Sequence, residues 1–344
     1  MKRIKRIFII ADFKDESPRS IQIQSRMWLK GLLRLGYDVH RFSYRNIMMQ
    51  YSIVPSKRIA RYFAKKKTDE VLLRQIMKYN PDIVFIHGMK FLDAETIISM
   101  RKVAKDAVFL SRDEDPYPER NPTRLSIAAS TDIVITTSGG SFLETYKDEG
   151  IKRCAFIPNM CDPDIQHRYE YGDKWKSDII FTGKLEHTKL NREDERYNLI
   201  NRLNQMSNTR TYGAFGVPRV EGMDYLYAIN GAKIALSINI ANDVRLYHSD
   251  RLVNYLSCGT FTLAKRVPDS DLLFTDGIHL KYFDTIEEFF EMAKWYLKHN
   301  KERERIAISG MERAHKEFNC EKIAKYTIDL LEKDIYEAPW SEIL

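Results

Sequence analysis

Short β-prone runs alternate with segments of helical periodicity along the first half of the chain. Five runs are predicted to be strands: 6–12, 37–44, 82–87, 107–110 and 132–136. Residues 20–35 and 93–105 repeat apolar side chains at helical spacing and are predicted to be helices. Strands that alternate with helices form a parallel sheet with right-handed crossovers. The alternation therefore predicts an α/β fold in which polar residues at the carboxyl ends of the strands meet a ligand.

A second alternating set follows a polar, proline-containing stretch at residues 158–176. The predicted strands of this set are 178–181, 209–212, 233–240 and 261–264. Helices are predicted at 198–206 and 251–257, and residues 286–335 are helical almost throughout. The chain thus predicts two Rossmann-like lobes, 1–170 and 171–344, with a last helix able to pack back on the first lobe.

The composition is that of a globular protein: 44% of the 344 residues are hydrophobic and 30% are charged. The apolar runs, such as Ile7–Ala11, are far shorter than the roughly 18–20 residues of a membrane span, and the N-terminus lacks the pattern of a secretory signal. The four cysteines form no Cys-x-x-Cys pair, which indicates free thiols in a reducing compartment. We therefore expect a cytoplasmic protein, or one peripheral at the inner membrane surface.

Positive charge is concentrated at the start of the chain. Residues 1–70 contain 17 lysines and arginines against 6 acidic residues, whereas the whole chain has a net charge of +7. The stretch 57–67 interleaves these cations with aromatic residues, which suits an acidic or membrane-associated acceptor, or a nucleic-acid backbone. An ordinary solvated helix face is the alternative.

The most informative local pattern is the segment 249–263, Ser-Asp-Arg-Leu-Val-Asn-Tyr-Leu-Ser-Cys-Gly-Thr-Phe-Thr-Leu. A polar helix start can hold phosphate through its free backbone N–H groups and the helix dipole. Arg251 adds a bidentate cation, and Asn254, one turn further on, can contact a ribose hydroxyl. Gly259 allows a sharp turn into the next strand. An ordinary helix–glycine–strand joint explains the same residues.

This segment, with the run 272–277 and Tyr282 after it, resembles the C-terminal lobe of group 1 glycosyltransferases of the CgeB type. Other stretches resemble the same family in the same order: 155–163, 178–183, 211–213 and 232–239. The resemblance covers residues 155–330 by motif and 1–154 mostly by pattern. It implies the GT-B architecture, two lobes around a central cleft with a helical C-terminal segment.

One position departs from the family. The family has Glu where this chain has Asn254, and that carboxylate binds the donor ribose; the wider group often carries another Glu at the position of Leu246. Asn can still exchange hydrogen bonds with a ribose, but bonds from hydroxyls to a carboxylate are stronger. The departure implies a weaker donor affinity, a different donor, or a chain without transfer activity.

The resemblance implies transfer of a sugar from a nucleoside-diphosphate sugar, with a UDP-sugar expected, without a cofactor or a bound metal. We expect ten residues to bind this donor: Gly183, Lys184, Tyr212, Gly213, Asn239, Ser249, Arg251, Asn254, Gly259 and Thr260. The cations among them would meet the charge of the departing diphosphate.

Candidates for the acceptor side lie after strands of the first lobe. Asp113, Asp115 and His87 are candidate catalytic residues, because an acceptor hydroxyl needs a base if the configuration inverts. Asp115-Pro116 matches an Asp-Pro pair common in the family, although an Asx turn before proline explains it equally. Asp12 and Arg112 are candidates for contact with the acceptor.

Four functions remain open at this point. The acceptor is a glycan, a lipid-linked sugar or a surface polymer; or it is a modified DNA base, as for some phage enzymes. A GT-B-shaped binding or coat protein without turnover is the third hypothesis, and a nucleotide-sugar epimerase is the fourth. Neither the oligomeric state nor the stereochemical outcome follows from the sequence.

Overall fold

The computed structural model describes residues 4–54, 56–88, 92–114, 122–185 and 194–344. The chain divides into two compact units: unit 1 contains residues 1–158 and 320–344, and unit 2 contains residues 159–319. The division falls earlier than residue 170 because side chains that precede this position, Ile165 and Tyr169, pack against a hydrophobic cluster of unit 2. None of the helices in the described ranges is long and apolar enough to cross a membrane.

Unit 1 is built on six parallel strands in the order β2-β1-β3-β4-β5-β6. The strands are β1 (Arg6–Ala11), β2 (Asp38–Ser43), β3 (Ile83–His87), β4 (Val108–Asp113), β5 (Ile133–Thr136) and β6 (Cys154–Phe156). The central strand β3 is buried throughout, as its apolar run predicts, whereas β2 at the edge is partly exposed. β4 continues to Asp113 instead of ending at Leu110, so Ser111, Arg112 and Asp113 belong to the strand and do not follow it.

Seven α-helices of unit 1 lie within the described residues. They are α1 (Gln24–Arg34), α2 (Tyr44–Gln50), α3 (Lys57–Tyr79), α4 (Ala94–Val103), α5 (Pro122–Ala129), α6 (Ser141–Asp148) and α12 (Cys320–Lys333). α12 packs closely on α1, where a Cβ on Gly31 would lie 2.2 Å from the backbone oxygen of Cys320. Only glycine therefore fits this crossing. α3 is followed by its C-cap residue Asn80, which takes a left-handed conformation (φ 51°) before Pro81.

Unit 2 is built on five parallel strands in the order β11-β10-β9-β7-β8. The strands are β7 (Ser177–Thr182), β8 (Thr209–Tyr212), β9 (Ala232–Ser237), β10 (Thr262–Lys265) and β11 (Lys281–Phe283). Side chains alternate between the two faces of β7: Ile179 and Phe181 enter one hydrophobic cluster and Ile180 enters another. Both faces of the sheet are therefore buried.

Five α-helices accompany this sheet in the described part of unit 2. They are α7 (Glu195–Asn204), α8 (Met223–Asn230), α9 (Asp250–Ser257), α10 (Ile286–Lys298) and α11 (Asn300–Glu317). Asp194 begins α7, since its carboxylate accepts a hydrogen bond from the backbone N–H of Arg196. The sequence analysis missed α2, α8, β6 and β11, which are all short. It predicted the C-terminal helical segment, which the structure divides into α10, α11 and α12.

Candidate functional site

The strand order of unit 2 reverses between β7 and β9, and ligands of open α/β sheets bind at the carboxyl ends of strands beside such a reversal. Gly183 and Lys184 directly follow β7, and Asn239 follows β9 by two residues. Three of the predicted donor residues therefore gather at the position where this topology favours a ligand.

The Asn239 side chain fixes the loop between β9 and α9. Its Oδ1 accepts a hydrogen bond from the Ser249 backbone N–H at 3.0 Å, and its Nδ2 donates to the Tyr247 carbonyl at 3.2 Å. Ser249 is the extended residue that precedes the first turn of α9. The first N–H groups of a helix have no acceptor within the helix, so this start offers donors to an anion.

Arg251, in that first turn, is almost buried, with 8% of its surface exposed. Its Nη1 donates to the Ile238 carbonyl at 3.1 Å, and its Nη2 donates to Ser249 Oγ at 3.3 Å. Its guanidinium carbon lies 4.8 Å from the centre of the Phe181 ring. Arg251 Nε has no hydrogen-bond partner among the described residues.

Arg196 on α7 is a second buried cation at this place, and the sequence analysis missed it. Its guanidinium lies 5.6 Å from the same Phe181 ring, and its Nη2 donates to the Lys184 carbonyl at 3.0 Å. Burial, and then the positive charge of Arg251, lower the pKa of Arg196 to about 10. In the described parts of the chain, neither guanidinium has a carboxylate within 4.0 Å.

Two buried cations that have no carboxylate partner among the described residues are energetically costly, since a buried charge needs a counter-charge. An anion held beside Phe181 would supply it. The lone Nε of Arg196, like that of Arg251, has no acceptor in the described part of the chain. A cation on a helix can be recognised as functional only when the fold shows which cations share a neighbour, and the sequence gives no such signal for Arg196.

Backbone groups at the carboxyl ends of β7 and β8 are hydrogen-bonded to each other. The Gly183 N–H donates to the Tyr212 carbonyl at 2.9 Å. Gly213 has φ +87°, a conformation that disfavours residues with a side chain. A Cβ there would also lie only 2.8 Å from the Gly183 oxygen, so both the backbone and the available space favour glycine. Burial raises the pKa of Tyr212, which is half-buried. Lys184 is exposed beside these turns.

Asn254, Gly259 and Thr260 lie further along α9 or beyond its end. Asn254 is buried, and its amide is used within the protein: Oδ1 accepts from Gln166 Nε2 and Nδ2 donates to Tyr225 Oη at 3.3 Å. Thr260 Oγ1 donates to a backbone oxygen of α8 at 2.9 Å. Gly259, with φ +69°, makes the turn after α9. These contacts give all three residues a structural role in the molecule as it stands, and their donor contacts remain predictions.

In unit 1 the strand order reverses between β1 and β3. Asp12 follows β1, and its carboxylate forms an ion pair with Arg45 at 3.2 Å. His87 ends β3, and its Nε2 lies 3.1 Å from Oε1 of Glu114. Glu114, just after β4, is a residue that the sequence analysis did not single out.

Glu114 lies between His87 and the Arg112 guanidinium. Burial by itself would raise the pKa of Glu114, but its interactions with His87 and Arg112 lower it overall. Arg112 is fully buried, stacks 5.2 Å from the Trp28 ring, and donates from Nε to Glu114 at 3.4 Å. Its guanidinium therefore faces the interior of unit 1, and its predicted contact with an acceptor remains a prediction.

Asp113 points away from this group into a second one. Its carboxylate accepts two hydrogen bonds from Arg124, at 2.9 and 2.6 Å, and one from Tyr146 Oη. Burial, and then the negative charge of Asp113, raise the pKa of Tyr146 well above its ordinary value. A carboxylate held by three donors is poorly suited to accept a proton. Asp115 lies outside the described residues.

The described residues contain no group of three His, Cys, Asp or Glu side chains that is placed to hold a metal ion. All four cysteines are buried, and none of them forms a disulfide within the described residues.

Residues 181–329 match the model of a family described as glycosyl transferase-like. The match begins in β7 and ends in α12, so it includes every predicted donor residue. This part of the chain is glycosyltransferase-like. No curated protein sequence matches the chain.

Solved structures share the fold over nearly the whole chain. Sucrose-phosphate synthase from Thermosynechococcus elongatus has a TM-score of 0.62 at 13% identity, covering 96% of this chain and 98% of its own. HepE from Anabaena in complex with UDP-glucose has a TM-score of 0.58 at 12% identity, covering 96% and 99%. A UDP-N-acetylglucosamine 2-epimerase has a TM-score of 0.50 at 12% identity, covering 96% of each chain.

These findings confirm the predicted fold class, two Rossmann-like units of GT-B type with a helical C-terminal segment, and the likeness to group 1 glycosyltransferases. The family match over residues 181–329 supports the predicted enzyme class, a glycosyltransferase. The narrower likeness to the CgeB type remains a prediction.

Proposed function

We propose that this glycosyltransferase takes its sugar from UDP-sugar and binds the diphosphate beside Arg251 and Arg196. The observation that carries the proposal is the pair of buried guanidiniums on one phenylalanine ring, at the strand reversal of unit 2, with no carboxylate beside them in the described residues. HepE, which shares this fold, has been solved with UDP and with UDP-glucose, and this supports UDP as the nucleotide.

The chemistry follows from the charges. As the bond between sugar and diphosphate breaks, the anomeric carbon becomes positive and the departing diphosphate becomes more negative. Oriented donors stabilise that charge without reorganising. Arg251 and Arg196 are held by backbone carbonyls, so their directions are fixed before the donor arrives. The N-terminal turn of α9 adds backbone N–H groups, and exposed Lys184 adds a third cation.

Cations can meet this charge without a divalent ion, and we propose a metal-independent transfer. On the acceptor side, we propose His87 as the base that takes the proton of the acceptor hydroxyl, with Glu114 stabilising the imidazolium that forms. A glycan, a lipid-linked sugar or a surface polymer is the proposed acceptor, and a cytoplasmic location the proposed place of the reaction.

The first test is thermal unfolding with UDP, GDP, TDP, CDP and ADP, each with and without EDTA. A ligand that binds only the folded state raises stability by mass action. We expect stabilisation by UDP that EDTA does not change, and its loss in Arg251→Ala. Arg305→Ala serves as the control, because Arg305 is an exposed residue of the same unit that pairs with Glu302.

Three outcomes would contradict the proposal. Stabilisation by none of the five nucleotides would favour a binding protein without turnover. Conversion of the donor sugar to its epimer without an acceptor would favour an epimerase, whose fold this chain shares. UDP binding that is unchanged in Arg251→Ala would place the diphosphate elsewhere.

A further inference from the structure

Helix α3 has two apolar sides, and within the described residues only one of them is covered by protein. The inner side is a stripe of buried residues with a spacing of four: Ala60, Ala64, Thr68, Leu72 and Ile76. The opposite side, in the first half of the helix, exposes large apolar residues to solvent: Ile59 is 45% exposed, Tyr62 83% and Phe63 64%. Residues 59, 62 and 63 share one face, because residues three and four apart are neighbours on a helix.

The exposed residues are more than scattered surface hydrophobics. The rings of Tyr62 and Phe63 contact each other edge to face, with centroids 5.1 Å apart. Ile53, in the turn before α3, is 90% exposed. Folding alone gives no reason to hold these side chains in water, because the inner stripe already attaches the helix to unit 1.

The charge around this face is strongly positive. α3 contains eight lysines and arginines and two acidic residues, a net charge of +6. Lys65 pairs with Asp69 and Lys67 with Glu70. The other described cations of the helix, Arg61, Lys66, Arg74 and Lys78, have no ion pair among the described residues.

An open depression of about 690 Å³ lies against the same helix. Arg61, Lys65, Lys66 and Tyr62 are among the residues that line it. Asp69, Glu70 and Leu73 complete the lining, so three cations and two carboxylates surround this space and its net charge is +1.

We propose that the outer face of α3 docks unit 1 on an anionic lipid surface. A membrane interface takes aromatic and aliphatic side chains into its outer layer, while lysines and arginines pair with anionic headgroups. A nucleic-acid backbone would satisfy the same cations, and bases can stack on aromatic rings, but Ile53 and Ile59 have no π face for a base. The aliphatic residues therefore favour lipid. The inference is independent of the transfer reaction proposed above.

The test uses the full chain and sedimentation with vesicles of phosphatidylcholine alone or mixed with phosphatidylglycerol. We expect binding to the mixed vesicles, with a partition coefficient that falls as salt rises, because exposed charges are screened over about 10 Å at 0.1 M salt. Lys66→Glu should weaken binding by more than about fivefold, the effect of about one surface charge. Tyr62→Ser with Phe63→Ser should weaken it by at least about tenfold, since each ring loses apolar burial.

A matched change in unit 2 provides the control. Lys294→Glu with Trp295→Ser alters an exposed cation and a 44% exposed aromatic residue on α10, and should leave vesicle binding unchanged. Each variant should keep the thermal unfolding midpoint of the parent, because the altered side chains of α3 are exposed. Absence of binding to anionic vesicles would overturn the proposal, as would equal losses in the α10 control. Salt-sensitive binding to duplex or single-stranded DNA that α3 variants abolish, without vesicle binding, would assign the face to nucleic acid.

Discussion

Replacing Arg196 by methionine tests whether the buried guanidiniums of Arg196 and Arg251 bind the diphosphate of the donor. Methionine keeps an unbranched stem against Phe181 and removes the charge. In the folded protein the pKa of Arg196 is lowered from 12.5 to about 10. At 1.36 kcal/mol per unit, holding the charge in the fold costs about 3 kcal/mol. The unfolded chain holds this proton more tightly, so the cost is present at neutral pH and declines only as the pH rises past about 10.

The substitution also removes a hydrogen bond. The bond from Arg196 to the Lys184 carbonyl is charge-assisted and stabilises the fold by about 1.5–3 kcal/mol. The two effects oppose each other, so we expect the free energy of unfolding without ligand to change by less than about 2 kcal/mol, whereas breaking a buried ion pair costs about 3–5 kcal/mol.

Donor binding should respond differently. A charge-assisted bond to phosphate contributes about 1.5–3 kcal/mol, so Arg196→Met should weaken UDP binding by about 10- to 150-fold. At a UDP concentration of 100 times the parent Kd, stabilisation of the parent is about 2.7 kcal/mol. A hundredfold weaker variant retains about 0.4 kcal/mol at that concentration.

The assay is urea unfolding with and without UDP at neutral pH, together with calorimetry for the Kd. Arg202→Met is the control, because Arg202 lies on the same helix but is 48% exposed and pairs with Glu287. Full UDP stabilisation of Arg196→Met would refute the assignment of this cation to the diphosphate. If the free energy of unfolding without ligand falls by more than about 3 kcal/mol, the cost of the buried charge does not offset the lost hydrogen bond, and this reasoning is refuted.

Three further substitutions test other parts of the structure. Asn254→Leu leaves the buried amide of Gln166 without its acceptor and should cost about 1–3 kcal/mol in urea unfolding; lower UDP affinity with unchanged stability would instead place Asn254 on the donor. Gly31→Ala forces a Cβ to 2.2 Å from a backbone oxygen of α12 and should lower the free energy of unfolding by about 1–3 kcal/mol or more. Gly172→Ala is the control: no atom lies within 4 Å of the new Cβ, so the same denaturation assay should show no change. Glu114→Gln removes a carboxylate whose pKa is lowered by folding. The variant should therefore be fully destabilised at neutral pH, and the destabilisation should shrink as the pH falls below about 4 towards the lowered pKa. A difference in unfolding free energy between parent and variant that does not depend on pH would contradict this.

The strand pattern was predictable because each strand has its own local signal. The run Ile-Val-Phe-Ile in β3 is apolar throughout since both faces of a central parallel strand are buried. β11 escaped prediction because its three residues carry too short a pattern to stand out. β4 was predicted to end too early, since Ser111, Arg112 and Asp113 are polar residues buried by neighbours that the sequence does not reveal.

The candidate site was only partly predictable. Arg251, Ser249 and Gly183 could be found because a helix start, or a glycine after a strand, has a local meaning. Arg196 is 55 positions from Arg251, and no local pattern joins the two. Asp113 and Arg112 have the residue types of an active site, yet the fold turns one towards Arg124 and the other towards Trp28.

The sequence by itself determined the alternation of strands and helices, the parallel sheets, the positive charge of the first 70 residues and the helix start at Ser249, because hydrophobic period, charge and glycine act over a few neighbouring residues. The tertiary structure alone decided which polar side chains share a site. It brought Arg196 and Arg251 to one ring, engaged Asn254 with Gln166, and left Phe63 in solvent. These outcomes depend on burial and on partners distant in the chain, and a charge has its functional meaning only once its counter-charge is known to be present or absent.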